Sequence, residues 1–200
     1  MRDIRTVCSL TANFPSLQGF KSIPIALWLL LIVLWANQEA GNSNLALPIV
    51  ISISMMLFLW FVSQYYRLAF GTVQRTKSRV FRELIFSAIA VLLALAAFWL
   101  DTSYEWPVSF LGLLFAGVMT FDYLRLRKSL SIDNFPYPLI FSLFLLVLSV
   151  LPVLGIENWW LIAGIATQLF AILIAVSLVM ILSGVLWHWF LVRNLKIGDR

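Results

Sequence analysis

One cysteine, one histidine and 12% charged residues are all that this chain of 200 residues holds of the groups that carry most catalytic and metal chemistry. Cys8 stands alone, which excludes an internal disulfide and a multi-cysteine metal site. His188 stands alone in the stretch LWHWF, and no acid precedes it closer than Glu157. Without an orienting carboxylate it reads as an interfacial ring rather than a ligand or general base. No Ser/His pair, paired aspartates or acid cluster at a membrane face is visible, so the usual protease and transferase layouts are excluded. The expectation is a non-enzymatic protein with no cofactor and no metal.

Charge of either sign is missing from long stretches. Hydrophobic residues make up 62% of the chain and mean hydropathy is +0.96, whereas soluble globular chains carry roughly 25% charge. Six apolar runs cover Phe20 to Asn37, Leu45 to Tyr66, Leu84 to Leu100, Trp106 to Leu124, Phe135 to Gly155 and Trp159 to Val192. Hydrocarbon offers no hydrogen-bond partners, so runs of about 20 residues must pair their own backbone groups as helices. The alternating pattern of a membrane barrel is absent. The fold class expected is all-α: a polytopic membrane protein of six transmembrane helices, with residues 1–200 forming one membrane-embedded domain.

What charge there is falls on one side. All 14 Lys and Arg lie in the N-terminal arm, the second and fourth loops and the C-terminal tail, while the first, third and fifth loops carry only Glu39, Asp101, Glu105 and Glu157. Loops rich in Lys and Arg stay in the cytoplasm, which predicts both termini inside and a plasma (inner) membrane location. The long basic arm and the lack of a small-residue cleavage site point to an uncleaved first helix.

The densest charge is in FGTVQRTKSRVFRE, residues 70–83, with Arg75, Lys77, Arg79 and Arg82. One reading makes these charges topology determinants in an irregular loop. A second comes from helical spacing: Phe70, Val73, Val80, Phe81 and Leu84 share one arc, and Arg75, Arg79 and Arg82 lie roughly opposite. That pattern suits a short amphipathic helix at the membrane surface between the second and third spans, in contact with anionic lipid headgroups or a protein partner. The basic charges are too few for a nucleic-acid footprint.

Aromatics mark the ends of the runs, as rings that prefer the headgroup level do. Trp187 and Trp189 sit near the inner end of the last run, which at 1.5 Å per residue would reach about 50 Å against a hydrocarbon core of roughly 30 Å. Either Trp159 to Ala163 lies in the outer interface with a turn near Gly164, or the inner end projects from the lipid. In the second case Trp187 and Trp189 are expected to anchor on the basic loop or on a partner. Gln168 and Thr167 are the intramembrane polar residues of interest, read first as helix-to-helix contacts beside the small-residue row Ala163, Thr167, Ala171 and Ala175.

The layout, with both ends inside and a basic loop after the second helix, is similar to that of permease subunits of ATP-driven transporters, and the likeness implies an inner loop docked on an ATPase. It transfers no residue. Two functions follow as expectations: a bundle acting through contacts, as subunit, scaffold or sensor, with a protein partner or a second copy; or a permease with a pathway lined by Ser, Thr and Gln168.

Overall fold

The computed structural model describes residues 18–38, 46–70, 77–104, 106–130, 136–156, 158–165 and 167–196. Among them every regular element is helical: α1 (Ser22–Gln38), α2 (Ala46–Phe70), α3 (Lys77–Ser103), α4 (Phe110–Leu130), α5 (Tyr137–Val150) and α6 (Gln168–Lys196). Short 3₁₀ turns occupy Gly19–Lys21, Leu151–Leu154 and Trp159–Ala163. Proline punctuates the helices where its missing N–H costs nothing, with Pro24, Pro48 and Pro138 all in first turns. Pro152 does the opposite work, ending α5 because its ring cannot follow the Leu148 carbonyl, and Gly155 closes the resulting turn at φ 84°.

Five stretches are long and apolar enough to cross a membrane: Gly19–Asn37, Ala46–Ala69, Val80–Ser103, Tyr137–Leu154 and Gln168–Arg193. The protein is therefore an all-helical membrane protein with five candidate spans on these grounds. The expected sixth, α4, carries Asp122, Arg125, Arg127 and Lys128 on its second half and so is not among them. Two boundaries also differ from expectation. The third helix starts at Lys77 and runs unbroken to Ser103, which places Lys77, Arg79 and Arg82 on its first two turns, with no separate surface helix among the described residues. The last helix starts at Gln168, and Trp159–Ala163 is a distinct turn closed by Gly164 at φ 70°.

α6 is the centre of the bundle. It packs most extensively on α1 and on the turn before it, then on α5 and α4; α4 and α5 pair closely, α2 lies on α1, and α3 lies on α4. Two close approaches set this geometry. A Cβ built on Gly19 would run into the Gly184 backbone carbonyl, so glycine is required there, and one on Gly112 would force the Ser149 hydroxyl to move. Consecutive helices alternate in direction, which gathers the start of α1, the end of α2, the start of α3, the end of α4, the start of α5 and the end of α6 at one end of the bundle. We call it the basic end, because Lys21, Arg67, Arg125, Arg127, Lys128, Arg193 and Lys196 belong to it.

The opposite end is tied by one carboxylate. Asp101, near the end of α3, accepts hydrogen bonds from the Ser109 hydroxyl at 2.7 Å, the Phe110 N–H at 2.7 Å and the Leu111 N–H at 3.1 Å. The Ser109 hydroxyl in turn accepts from the Gly112 N–H. The first turn of α4 thus has its open N–H groups satisfied by an N-cap serine and an anion placed at the positive end of the helix dipole. Because α5 breaks at Val150, the carbonyl of Ser149 is left for the Ser109 N–H, at 3.1 Å.

Candidate functional site

At the basic end three elements meet around one histidine. Tyr66, 1% exposed, is buried with Val62 of α2 and Leu191 of α6, and Phe20, Trp187 and Phe190 pack around them. The Tyr66 oxygen accepts the Phe20 N–H at 3.1 Å and lies 2.9 Å from Nδ1 of His188. With its acceptor side taken by Phe20, the phenol has its proton to give to Nδ1, which satisfies both groups if His188 carries its own proton on Nε2. The Phe20 ring stacks on the imidazole at 3.7 Å between centroids, 19° from parallel. Lys21 holds its ammonium 5.9 Å from the Tyr66 ring centroid.

Beside this cluster lies a cleft of about 410 Å³. Its two sides are α1, with Ser22 and Ile25, and α4, with Val118, Met119 and Asp122; its floor comes from α5 and α6, with Leu145, Val176, Met180 and Ser183. Gln18 and Lys21 stand at the basic end of the cleft. Toward the other end the gap between α1 and α4 is filled, since Val33, Leu111, Leu173 and Ala97 form one buried cluster there. The cleft is consequently closed toward the Asp101 end. Ile25 and Val118, on facing sides, remain 48% and 44% exposed, so the cleft also opens sideways between the helices.

The residues singled out in the sequence are distributed around this end. Arg75 lies outside the described residues; Lys77 and Arg79 occupy the start of α3; Arg82, one turn on, is exposed. Trp187 packs in the Tyr66 cluster and also lines the cleft. Trp189 is half exposed, with the Arg193 guanidinium 5.1 Å from its ring centroid. Within the chain this end of α6 packs, through Trp187, on α2 and the turn before α1, which are neither the basic loop nor the partner that was expected.

Thr167 and Gln168 are far from it. Thr167 caps α6, its hydroxyl accepting the Phe170 N–H at 3.2 Å. Gln168 opens the helix, with a buried Nε2 that has no partner, next to a void of about 30 Å³ lined by Asp101, Tyr104 and Ser109. Of the small row, Ala171 and Ala175 are buried. The hydroxyls of Ser142, Ser149 and Ser177 each donate to a backbone carbonyl, at 2.7 to 2.8 Å. Among the described residues no three His, Cys, Asp or Glu side chains gather as metal ligands would.

Sequence reasoning missed Tyr66, Phe20, Gln18 and Asp122. A local signal existed only for Asp122, the one acid in a basic-ended helix. Compared with protein-family models, curated proteins and solved structures, the chain matches none of them.

Proposed function

We propose that this protein is a non-enzymatic, multi-pass subunit that acts through contacts within and beside the bilayer, with six spans, both termini and the basic end in the cytoplasm of a plasma membrane, and a second copy or protein partner. The observation that carries the reading is the uneven burial of its spans. Ala46–Ala69 and Val80–Ser103 each bury 6% of their most apolar window within the chain, against 44% for Gln168–Arg193. These two helices flank the basic segment, so a partner that covers them would meet Arg75, Lys77, Arg79 and Arg82 at the same edge, where anionic headgroups also gather. For α4 as the sixth span, its close pairing with α5 is the support, and its basic residues Arg125, Arg127 and Lys128 fall in its last two turns, where long side chains can reach an interface.

The permease reading keeps one observation in its favour, a cleft closed toward the Asp101 end and open sideways between the helices. Against it, the buried serine hydroxyls are spent on backbone carbonyls rather than turned toward a path.

Native mass spectrometry of the full chain extracted in mild detergent separates the outcomes. A stoichiometric complex, with itself or another membrane protein, that is lost when Lys77, Arg79 and Arg82 are replaced by Gln supports the proposal. A chain that remains a monomer in every mild detergent overturns it.

A further inference from the structure

The cleft combines apolar walls with a polar rim, and the chemistry of that rim is specific. Lys21 supplies a cation on the α1 side. Asp122 supplies a carboxylate on the α4 side, bridged on Oδ1 by Arg125 at 3.2 Å; one ion pair does not saturate a carboxylate, which has about four lone-pair sites. Gln18 is 9% exposed, and its buried amide oxygen accepts no hydrogen bond, a costly state for a polar atom removed from water. Lys21, Asp122 and Gln18 line a space whose other walls include Phe115, Met119, Leu145 and Met180. Its size lies within the range of small-molecule sites, roughly 300 to 1,000 Å³. The exposed Ile25 and Val118 leave it open to the side, where lipid lies.

We propose that this cleft binds a phospholipid with a primary ammonium headgroup, of the phosphatidylethanolamine class, with its phosphate on Lys21, its ammonium between Asp122 and Gln18, and an acyl chain against Phe115, Met119 and Met180. A glycerol headgroup has hydroxyls for Gln18 but no cation for Asp122, and a serine headgroup brings its ammonium together with an added carboxylate beside Asp122. A quaternary ammonium has no N–H to donate to either. Only an ammonium that retains its hydrogens satisfies both acceptors while the phosphate takes the lysine. The inference needs the bundle in a bilayer but neither a protein partner nor a given orientation, so a chain that proves monomeric leaves it standing.

Two measurements test it. In the first, the full chain is released from a bilayer of phosphatidylethanolamine, phosphatidylglycerol and phosphatidylcholine in equal parts with matched acyl chains, and retained lipid is counted by native mass spectrometry. Phosphatidylethanolamine is expected to be enriched about tenfold over both others, since one charge-assisted hydrogen bond corresponds to at least that ratio. Asp122→Asn abolishes the enrichment, whereas Arg127→Gln, on α4 outside the cleft, preserves it. Equal or greater retention of either other lipid overturns the proposal. The second uses the unaltered protein and so does not depend on a variant folding. A phosphatidylethanolamine with a photoactivatable carbene precursor on one acyl chain should label Phe115, Met119 or Met180. Labelling spread over the exposed faces of α2 and α3, at Met56 and Phe86 for instance, with the cleft residues unmarked, overturns it.

Discussion

Tyr66 and His188, 122 positions apart in the sequence, join α2 to α6 through a 2.9 Å contact between the phenol oxygen and Nδ1, and the same oxygen receives the backbone N–H of Phe20. One hydroxyl therefore holds three separate segments at the basic end. Tyr66→Phe keeps the ring and removes the oxygen, leaving the Phe20 N–H and the imidazole without this partner in a partly buried setting. The expected cost is about 2 to 4 kcal/mol, from two groups at roughly 1 to 2 each. His188→Phe keeps the stack on Phe20 and should cost less. Reversible unfolding in mixed micelles, run as a double-mutant cycle, should return a coupling of about 1 kcal/mol between the two positions; additive effects would deny the link.

Glycine positions give opposite signs. At Gly184 an added Cβ would come within 2.6 Å of the Ser22 hydroxyl and 2.7 Å of the Gly19 carbonyl, while at Gly117 it would meet nothing within 4 Å. Gly184→Ala should destabilise by about 1 to 3 kcal/mol through forced separation of α6 from the start of α1. Gly117→Ala, inside α4 with open space around it, should be neutral or stabilise by up to about 1 kcal/mol. Melting temperatures of the two variants in one detergent check the contrast directly, and a shift of the same sign in both would contradict the crossing geometry.

Asp101 should matter through its three donors. Asp101→Ala exposes the first turn of α4 and is expected to cost about 2 to 3 kcal/mol, combining a lost cap interaction with lost charge at the helix terminus. Asp101→Asn retains an acceptor and should recover about half. Hydrogen exchange at Phe110 and Leu111 reports the site itself: both amides should exchange faster in the alanine variant, with α5 and α6 unchanged.

The number and direction of spans can be read by reporter fusions. Fusions after Ser43, Ser103 and Glu157 should report outside, and fusions after Thr76, Ser129 and Lys196 inside, as the distribution of Lys and Arg requires. The pair Ser103 and Ser129 brackets α4. The same location for both would remove it as a span.

Helix content and most boundaries were legible because lipid permits little else, and because Pro24, Pro48 and Pro138 mark starts that single-chain reading respects. The amphipathic arc of residues 70–84 lies partly outside the described residues, and from Lys77 on it belongs to α3. A spanning helix that begins at Lys77 carries its first basic turns out of the hydrocarbon, and an apolar stripe among them is the ordinary beginning of a span. The Ser109 cap was readable, as a serine directly before an apolar run. The Asp101 partner was not, because the carboxylate reaches it across a hairpin. Gln168 looked buried at mid-depth only while the last run was taken to start at Trp159; with α6 starting at Gln168 it becomes a first-turn residue. The Tyr66, Phe20 and His188 contact depends on which helices neighbour which, and that adjacency leaves no trace in the composition of any one of them.

The pairing of α1 with α6 bears on how the chain is made. The α3–α4 and α4–α5 contacts join consecutive helices, so each can form as soon as the second member leaves the ribosome. α1 has no such neighbour for its Gly19 face: the helix that covers it, α6, is completed only at Lys196. At roughly 5 to 20 residues per second, the first helix waits on the order of ten to thirty seconds in the bilayer with that face turned to lipid or to an insertion factor. Synthesis that stalls before α6 leaves both the Gly19 face and the cleft beside it unformed, so a chain truncated in its last span should be recognised and degraded even though its earlier helices are already inserted.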